Sequence, residues 1–346
     1  MTHGDPPTAS RKADHIRINL EHEVQSKGVT TGFERYRFVH DAMPDMSLAS
    51  VETGSVFLGR ELAAPVLISC MTGGVPEARV VNERLAAAAQ ALGCAMGVGS
   101  QRAAIETPSL ARYYQVRRVA PDVPLLANLG AVQLNYGYGL DECRRAVEMI
   151  DADALVLHLN PLQEAVQPEG DTDFSGLLPK IADVCARLGV PVIVKEVGWG
   201  ISGRLARRLV EAGVSGIDVA GAGGTSWTEV ERHRLPEGYR RRVAASFSGW
   251  GIPTAESVQQ CRQAAPETLL IASGGLRTGI DAATAIALGA DVAGFAGPLL
   301  RAAAESEDAC YEALRALIEE LSVTMYCTGS RTLADLRSAE LTREGE

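Results

Sequence analysis

Short apolar runs alternate with longer amphipathic stretches along this chain of 346 residues. The runs are rich in β-branched residues and have the length of buried strands. They lie at Val66–Met71, Cys94–Val98, Leu125–Leu129, Ala154–Leu159, Val192–Val197, Gly216–Val219, Leu269–Ala272 and Val292–Phe295. The stretches that follow them carry alanine and leucine at helical spacing. We predict helices over Arg79–Leu92, Ser109–Val119, Asp141–Ile150, Leu177–Leu188, Gly203–Ala212, Ala255–Ala265, Gly279–Leu288 and Arg301–Met325.

This repeated order of strand and helix predicts an α/β fold, a (β/α)8 TIM barrel. An open doubly wound sheet is the structural alternative, although it rarely contains eight such even units. No segment has the composition of a linker, so we expect one domain. It would consist of an N-terminal extension (1–63), the barrel (64–328) and a short tail (329–346).

Net charge, the length of apolar runs and the spacing of cysteines argue against several classes of protein. The formal net charge of −10 argues against a basic face for nucleic acid or for an anionic membrane surface. No apolar run is long enough to span a bilayer, and residues 1–12 lack the apolar core of a signal peptide. The seven cysteines have neither CxxC nor zinc-like spacing. We therefore expect a cytoplasmic protein with reduced thiols and with no nucleic-acid or membrane partner.

Polar residues follow the fourth apolar run, where a barrel strand would leave the interior. His158 and Asn160 share one strand face by the period-two rule, and Gln163 and Glu164 come next in the loop. Active sites of (β/α)8 barrels lie at this edge. An amide beside a carboxylate suits a site that orients a substrate and holds a hard cation.

Glycine-rich segments follow the last three apolar runs, at Gly221–Thr225, Ser273–Leu276 and Ala296–Gly297. Glycines let backbone N–H groups approach a bound phosphate, and a helix N-terminus favours its charge. One glycine pair would be weak support, because turns need glycine in any case. Three such segments at one barrel edge predict a phosphate site.

The fifth apolar run contains Lys195 followed by Glu196. A lysine in a buried strand is costly unless its charge has a partner. One interpretation is an ion pair with Glu196 or with another carboxylate. The second is a cation beside the pyrimidine edge of a flavin, where it would stabilise the negative charge of the reduced ring.

Ten segments in order then resemble one family, the type 2 isopentenyl diphosphate isomerases, which are FMN-dependent (β/α)8 barrels. They are Arg11-Lys12-x-x-His15, Met71–Gly74, Gly99–Arg102, Ala127–Gly130, His158–Asn160 with Gln163-Glu164, Lys195–Gly198, Gly221–Thr225, Trp250–Thr254, Ser273–Gly275 and Ala296-Gly297. Any one motif is modest, but the ordered set is specific. Two departures are Cys70, where alanine is common, and Ala220, where serine is common.

The resemblance implies an enzyme that interconverts isopentenyl and dimethylallyl diphosphate in isoprenoid biosynthesis. It implies reduced FMN, Mg²⁺ and NADPH as the reductant. It also implies a homotetramer or homo-octamer in which the N-terminal arm with Arg11 and Lys12 reaches into a neighbouring subunit. From the sequence alone, this arm would otherwise be interpreted as a solvated terminal pair of charges.

The resemblance also assigns residues by matched position. The catalytic residues would be Gln163, His158 and Lys195, and the metal ligand would be Glu164. The flavin contacts would be Cys70, Met71, Thr72, Ser100, Asn128, Lys195, Thr225, Gly274, Gly275, Leu276, Ala296 and Gly297. The substrate contacts would be Arg11, Lys12, His15, Ser100, Gln101, Arg102, His158, Asn160 and Gln163.

Two other classes stay open. A 2-hydroxy-acid oxidase is also an FMN barrel, but it uses a histidine at the end of the seventh strand, closely followed by arginine. The matching exit here, Ser273–Arg277, has no histidine. A non-catalytic barrel would be a binding module, and the intact Gln163, Glu164 and Lys195 weigh against it. The connection 221–253 carries a basic run that we interpret as exposed, in a segment long enough for a lid.

Overall fold

The computed structural model describes residues 7–344, with side chains from residue 11. Three short strands come first: β1 Tyr36–Phe38, β2 Ser55–Phe57 and β3 Arg60–Leu62. The barrel strands are β4 Val66–Ile68, β5 Ala95–Gly97, β6 Leu125–Gly130, β7 Ala154–His158, β8 Val192–Lys195, β9 Gly216–Asp218, β10 Leu269–Ala272 and β11 Val292–Phe295. The last strand is β12 Leu341–Arg343. Within the described range the predicted barrel is confirmed, because the eight parallel strands close in the order β10-β11-β4-β5-β6-β7-β8-β9.

Helices surround the barrel and cover one of its ends. They are α1 Pro7–Glu21, α2 Pro76–Leu92, α3 Arg102–Glu106, α4 Leu140–Ile150, α5 Pro161–Val166, α6 Leu177–Arg187, α7 Gly203–Glu211, α8 Trp227–Arg234, α9 Tyr239–Ser246, α10 Thr254–Ala264, α11 Gly279–Ala287, α12 Gly297–Glu305, α13 Glu307–Cys327 and α14 Leu333–Arg337. Short 3-10 helices lie at Phe33–Arg35, Leu48–Ser50, Pro108–Tyr113 and Ala131–Asn135.

Side chains of alternate strand residues separate two apolar cores. Residues such as Leu67, Leu126 and Ile193 fill the barrel interior, and their neighbours in sequence pack outward against the helices. Phe57, from the β2–β3 hairpin, is fully buried and belongs to the interior core. Each fully buried large apolar side chain stabilises the fold by about 1.5–3 kcal/mol relative to exposure. The interior of the barrel is therefore a packed core.

Two of the predicted helices differ from the structure. The stretch predicted as Ser109–Val119 is a 3-10 helix over Pro108–Tyr113 followed by turns. The guanidinium of Arg117 donates to the carbonyls of Ala120 and Val123 at 3.1 and 2.9 Å, and this holds the turns that lead into β6. The predicted Arg301–Met325 helix is two helices, because the Ser306 hydroxyl accepts from Ala309 N at 2.9 Å and starts α13.

The extension and the tail are fixed to the barrel by pairing and packing. Strand β1 pairs antiparallel with β12. Helix α1 packs on α8 through Ile18 and Val230, together with Val24 just beyond α1. The segment 221–253, predicted as a long connection, contains helices α8 and α9. As a result, α1 and α8 lie together over the carboxyl ends of the strands.

Candidate active site

A large cavity lies at the carboxyl ends of the barrel strands, with a volume of about 480 Å³. Parallel strands present their loops at this edge, so residues far apart in sequence meet there. The predicted flavin residues that line it are Cys70, Met71, Thr72, Ser100, Asn128, Lys195, Thr225, Gly274, Gly275, Leu276, Ala296 and Gly297. The other predicted residues that line it are Arg11, Lys12, His15, Arg102, His158, Asn160, Gln163 and Glu164.

The side chain of Gln101 is the exception among the predicted substrate contacts, because it does not line the cavity. Gln101 is fully buried away from the cavity. Its Nε2 donates to Ala146 O at 2.8 Å, and its Oε1 accepts from Asn128 N at 2.9 Å. The side-chain amide therefore joins α4 to β6 and has no free donor directed at a ligand.

The cavity floor is polar because it continues the inward-facing positions of the strands. The positions two residues beyond the apolar interior layer are what we call the polar layer: Ser69, Asn128, His158, Lys195, Asp218 and Ser273. All of them except Asp218 line the cavity. His158 Nδ1 lies 2.9 Å from Asn128 Oδ1. Burial lowers the pKa of His158 to about 3, and the charges of Lys195 and Lys12 act in the same direction. His158 is therefore a neutral imidazole at physiological pH.

Lys195 forms an ion pair with a carboxylate, which is one of its two predicted interpretations. Its Nζ donates to the backbone carbonyl of Glu196 at 2.8 Å and lies 3.6 Å from Asp218 Oδ2. The carboxylate of Glu196 does not form the ion pair, because it accepts from the N–H groups of residues 197, 198 and 199. The carboxylate partner is thus Asp218, and Lys195 still lines the cavity.

Asn160, Gln163 and Glu164 form a buried group that we call the amide–carboxylate cluster. Asn160 Nδ2 donates to Glu164 Oε1 at 2.7 Å and to Gln163 Oε1 at 3.2 Å. The second carboxylate oxygen of Glu164 accepts from Asp171 N at 2.7 Å. Burial raises the pKa of Glu164 above its ordinary value. Asn160 Oδ1 is buried and has no hydrogen-bond partner within the described chain, so it is an oxygen available to a ligand or a cation.

Cationic side chains stand at the mouth of the cavity. Arg11 Nη1 donates to Gln167 Oε1 at 2.9 Å, and Lys12 Nζ donates to Tyr114 Oη at 2.5 Å. Arg102 forms an ion pair of 2.7 Å with Asp171. These contacts lie within one chain, and α1 packs on α8 of the same chain. The expectation that the arm crosses to a neighbouring subunit stays a prediction.

Backbone surrounds the opposite side of the cavity. Gly274 and Gly275 have φ of +100° and +84°, values that favour glycine. A Cβ on Gly275 would come within 2.8 Å of the Gly223 carbonyl carbon and the Gly224 nitrogen. Helix α12 begins at Gly297, and no side chain caps its first N–H groups. This edge can therefore accept an anion through backbone N–H groups.

Sequence reasoning missed several residues of the site. Glu231, in α8, lies 3.0 Å from His15 Nε2 and accepts from Gln163 Nε2 at 3.2 Å. Trp227 packs edge-on against His15 with ring centroids 5.0 Å apart and lines the cavity. The basic run predicted as solvated instead pairs in part with buried carboxylates, as Arg234 does with Glu231 at 2.6 Å. The only sequence signal was the position of α8 directly after a glycine-rich strand exit.

Comparisons with known proteins agree with this geometry. Residues 159–343 match the FMN-dependent dehydrogenase family. An isopentenyl-diphosphate delta-isomerase of Nostoc sp. is 55% identical over 330 residues, which cover 95% of this chain and 94% of that protein. The same enzyme of Synechocystis sp. is 55% identical, covering 96% of each chain, and that of Rickettsia bellii is 52% identical with the same coverage.

Solved structures support the fold alone. A mandelate oxidase with (S)-2-phenylpropionate has a TM-score of 0.68 at 22% identity, covering 97% of each chain. A mandelate oxidase variant with a monooxide FMN adduct has a TM-score of 0.64 at 20% identity, covering 99% of this chain and 94% of that one.

Fold and site thus define a TIM-barrel enzyme of the FMN-dependent dehydrogenase class. Within that class, the chain belongs to the isopentenyl-diphosphate delta-isomerase family.

Proposed function

We propose that this protein interconverts isopentenyl diphosphate and dimethylallyl diphosphate, with reduced FMN and Mg²⁺. The observation that carries the proposal is the amide–carboxylate cluster, which lies in one cavity with the cations Arg11 and Arg102. Such a site offers a cation position and guanidinium groups for a diphosphate, and a buried amide for the rest of the substrate. The identity of the relatives supports the same reaction.

The residues present fit FMN. The backbone N–H groups at Gly274, Gly275 and the start of α12 would hold its phosphate. Lys195 would stand beside the pyrimidine edge, and Ser69 Oγ, buried in the cavity without a partner in the described part of the chain, is available to the ring. When bound and reduced, FMN supplies an electron-rich ring that can exchange a proton with the substrate.

The residues also fit an Mg²⁺ ion that is coordinated jointly by the protein and by a phosphate of the substrate. No group of three or more His, Cys, Asp or Glu side chains that could hold a metal occurs among the described residues. Mg²⁺ commonly uses only one or two carboxylates, with phosphate and water completing its shell. Glu164 would supply the carboxylate, and the unpartnered Asn160 Oδ1 is a neighbouring oxygen.

The remaining chemistry belongs to the protein side chains. Gln163 is fixed by Asn160 and Glu231, so its amide has a defined orientation toward the substrate carbons. Neutral His158 can donate or accept a hydrogen bond without adding charge. Trp227 and helix α1 cover the cavity and would exclude water from a carbocation-like state that water would trap.

Three further proposals follow from the family. NADPH would reduce the flavin, and the protein would be a homotetramer or homo-octamer. A cytoplasmic location is supported by the seven cysteines, all free thiols in the structure, which suit a reducing compartment. Within the described residues, no helix is both long and apolar enough to cross a membrane.

The test is direct turnover. The purified protein should be yellow and should release FMN on denaturation. After anaerobic reduction, addition of isopentenyl diphosphate and Mg²⁺ should yield dimethylallyl diphosphate, and chelation of the metal should stop the reaction. Reduced protein that binds FMN stoichiometrically but converts none of the substrate would refute the proposal.

The same preparation tests the 2-hydroxy-acid oxidase alternative. Arg277 lies near the end of β10, but its Nη2 donates to Gln25 Oε1 at 2.8 Å, and no histidine lies in the exit Ser273–Arg277. We therefore expect no flavin reduction by lactate or mandelate. Rapid bleaching of the oxidised flavin by either acid would favour the oxidase.

A further inference from the structure

Asp218 is a buried carboxylate that the proposed reaction leaves without a role. It ends strand β9, is 2% exposed and does not itself line the cavity. It lies behind two residues that do line the cavity, Lys195 and Ser273. A buried carboxylate is stable only when opposite charges and hydrogen-bond donors lie beside it. The partners of Asp218 therefore indicate which residues it positions.

The partners of Asp218 connect the two sides of the predicted flavin site. Its Oδ2 lies 3.6 Å from Lys195 Nζ, and its Oδ1 accepts from Ser273 Oγ at 2.5 Å. Oδ1 also lies 3.3 Å from Ala220 N, which has the left-handed φ of +36°. Ser273 immediately precedes the glycines proposed to hold the phosphate. One carboxylate therefore contacts the cation at one end of the site and the phosphate-binding turn at the other.

The charge of this carboxylate opposes the effect of Lys195. A cation beside the flavin favours the reduced ring, which carries more negative charge than the oxidised ring. An anion 3.6 Å from that cation offsets part of its field. Because both groups are buried in the polar layer, water screens the pair weakly. The ring would then respond to the sum of the two charges.

We propose that Asp218 is a positioning residue that aligns Lys195 and lowers the preference of the site for reduced over oxidised FMN. The inference rests on the proposed function only in that FMN occupies this cavity. With Asp218 in place, the flavin can still be reduced by its electron donor, but the anionic reduced form is stabilised less than it would be by Lys195 alone. Ser273 takes part by distributing the charge of Asp218 through its hydrogen bond.

The experiment compares the dissociation constants of oxidised and dithionite-reduced FMN for the full-length protein and its variants. Asp218→Asn keeps the shape and removes the charge, so the ratio of oxidised to reduced Kd should rise at least about tenfold, or about 30 mV for this two-electron couple. Lys195→Ala should move the ratio in the opposite direction. Ser273→Ala should lower it severalfold, because it leaves the Asp218 charge more localised.

Folding of Asp218→Asn is checked by circular dichroism and Tm. If this variant does not fold, Ser273→Ala tests the role of Asp218 by itself. An unchanged or lowered ratio in folded Asp218→Asn, or an unchanged or raised ratio in Ser273→Ala, overturns the inference. A merely structural role would weaken the binding of both forms of FMN equally. No FMN binding by the wild-type protein would instead refute the proposed function, so the two failures can be distinguished.

Discussion

The two halves of the cavity offer different kinds of groups to a ligand. One half, around the ends of β6 and β7, offers the side chains of Asn160, Gln163 and Glu164, together with Arg11 and Arg102 from α1 and α3. We call it the side-chain half. The other half, at the ends of β10 and β11, offers mainly backbone at Gly274, Gly275 and Gly297, and we call it the glycine half.

The two halves suit different kinds of ligand group. A surface of backbone N–H groups recognises a phosphate by its shape and by the peptide dipoles. It loses the phosphate when a Cβ in place of a glycine hydrogen fills the space that the phosphate needs. A surface of charged and amide side chains supports reaction and metal binding, and it fails when its charges are removed. Substitutions in the two halves should therefore separate cofactor binding from turnover.

The largest effect should come from the side-chain half. Glu164→Gln should lower kcat/KM at least about 100-fold, since even outer partners of metal ligands cost roughly 10–100-fold when they are lost. FMN content should stay at the wild-type level, because the glycine half is untouched. Glu169→Gln, in the turn directly after α5 and half exposed, is the matched control and should remain active. Full turnover by Glu164→Gln at ordinary Mg²⁺ would remove Glu164 from the metal site.

The next effect should come from the glycine half. Gly275→Ala forces a side chain onto a φ of +84°, which costs about 1–2 kcal/mol before the close contacts with residues 223 and 224 are counted. We expect the Kd of FMN to rise more than about tenfold, measured by flavin fluorescence. Gly54→Ala is the control, since its Cβ would meet only Leu62 O at 3.9 Å. Wild-type FMN affinity in Gly275→Ala would contradict the division into halves.

The sequence predicted the parts of this comparison that follow from local periodicity. The eight strands were recognisable because their residues are apolar on both faces, and strand ends such as His158 and Lys195 then define the site edge. The roles assigned to these residues remain proposals. The glycine half was recognisable because three strand exits carry glycines where turns must approach a ligand closely.

The parts that could not be predicted depend on long-range packing. Nothing local in residues 223–234 shows that Glu231 will meet His15 and Gln163. The cavity-facing position was assigned to Gln101 by matched motif, yet its amide is used between α4 and β6. The stretch 109–119 has helical spacing, but Arg117 and the proline that follows at 121 favour turns.

The N-terminal arm supplies cations to the side-chain half from outside the barrel, because Arg11 and Lys12 lie in α1. Arg11→Gln removes one charge-assisted contact, worth roughly 1.5–3 kcal/mol. We expect KM for isopentenyl diphosphate to rise about tenfold, with FMN content unchanged. Arg17→Gln is the control, because Arg17 is exposed and pairs only with Asp14 and Glu21 in the described contacts. An unaltered KM would show that Arg11 does not contact the diphosphate.

Mixing experiments test whether the arm serves its own barrel. A protein truncated before residue 13 and a Gln163→Ala protein each lack one part of the site. Because the structure places Arg11 and Lys12 over the barrel of their own chain, mixed oligomers should show no restored turnover. Restored activity after confirmed subunit exchange would show that the arm crosses between subunits.

The smallest effect should be a pH dependence that originates at Lys12. Burial lowers the pKa of Lys12 to about 7, and the neighbouring charge of Arg11 acts in the same direction. A lowered lysine pKa means that the cation is lost as pH rises through about 7, so affinity for the anionic substrate should fall. KM should therefore rise severalfold between about pH 6 and pH 8.

Lys12→Arg should flatten this rise, because guanidinium stays charged throughout the range. The ionisation of the substrate itself is common to both proteins and cancels in the comparison. Lys180→Arg is the control, since Lys180 Nζ only donates to Leu134 O outside the cavity. The same KM profile in Lys12→Arg and the wild type would show that Lys12 does not titrate against the diphosphate.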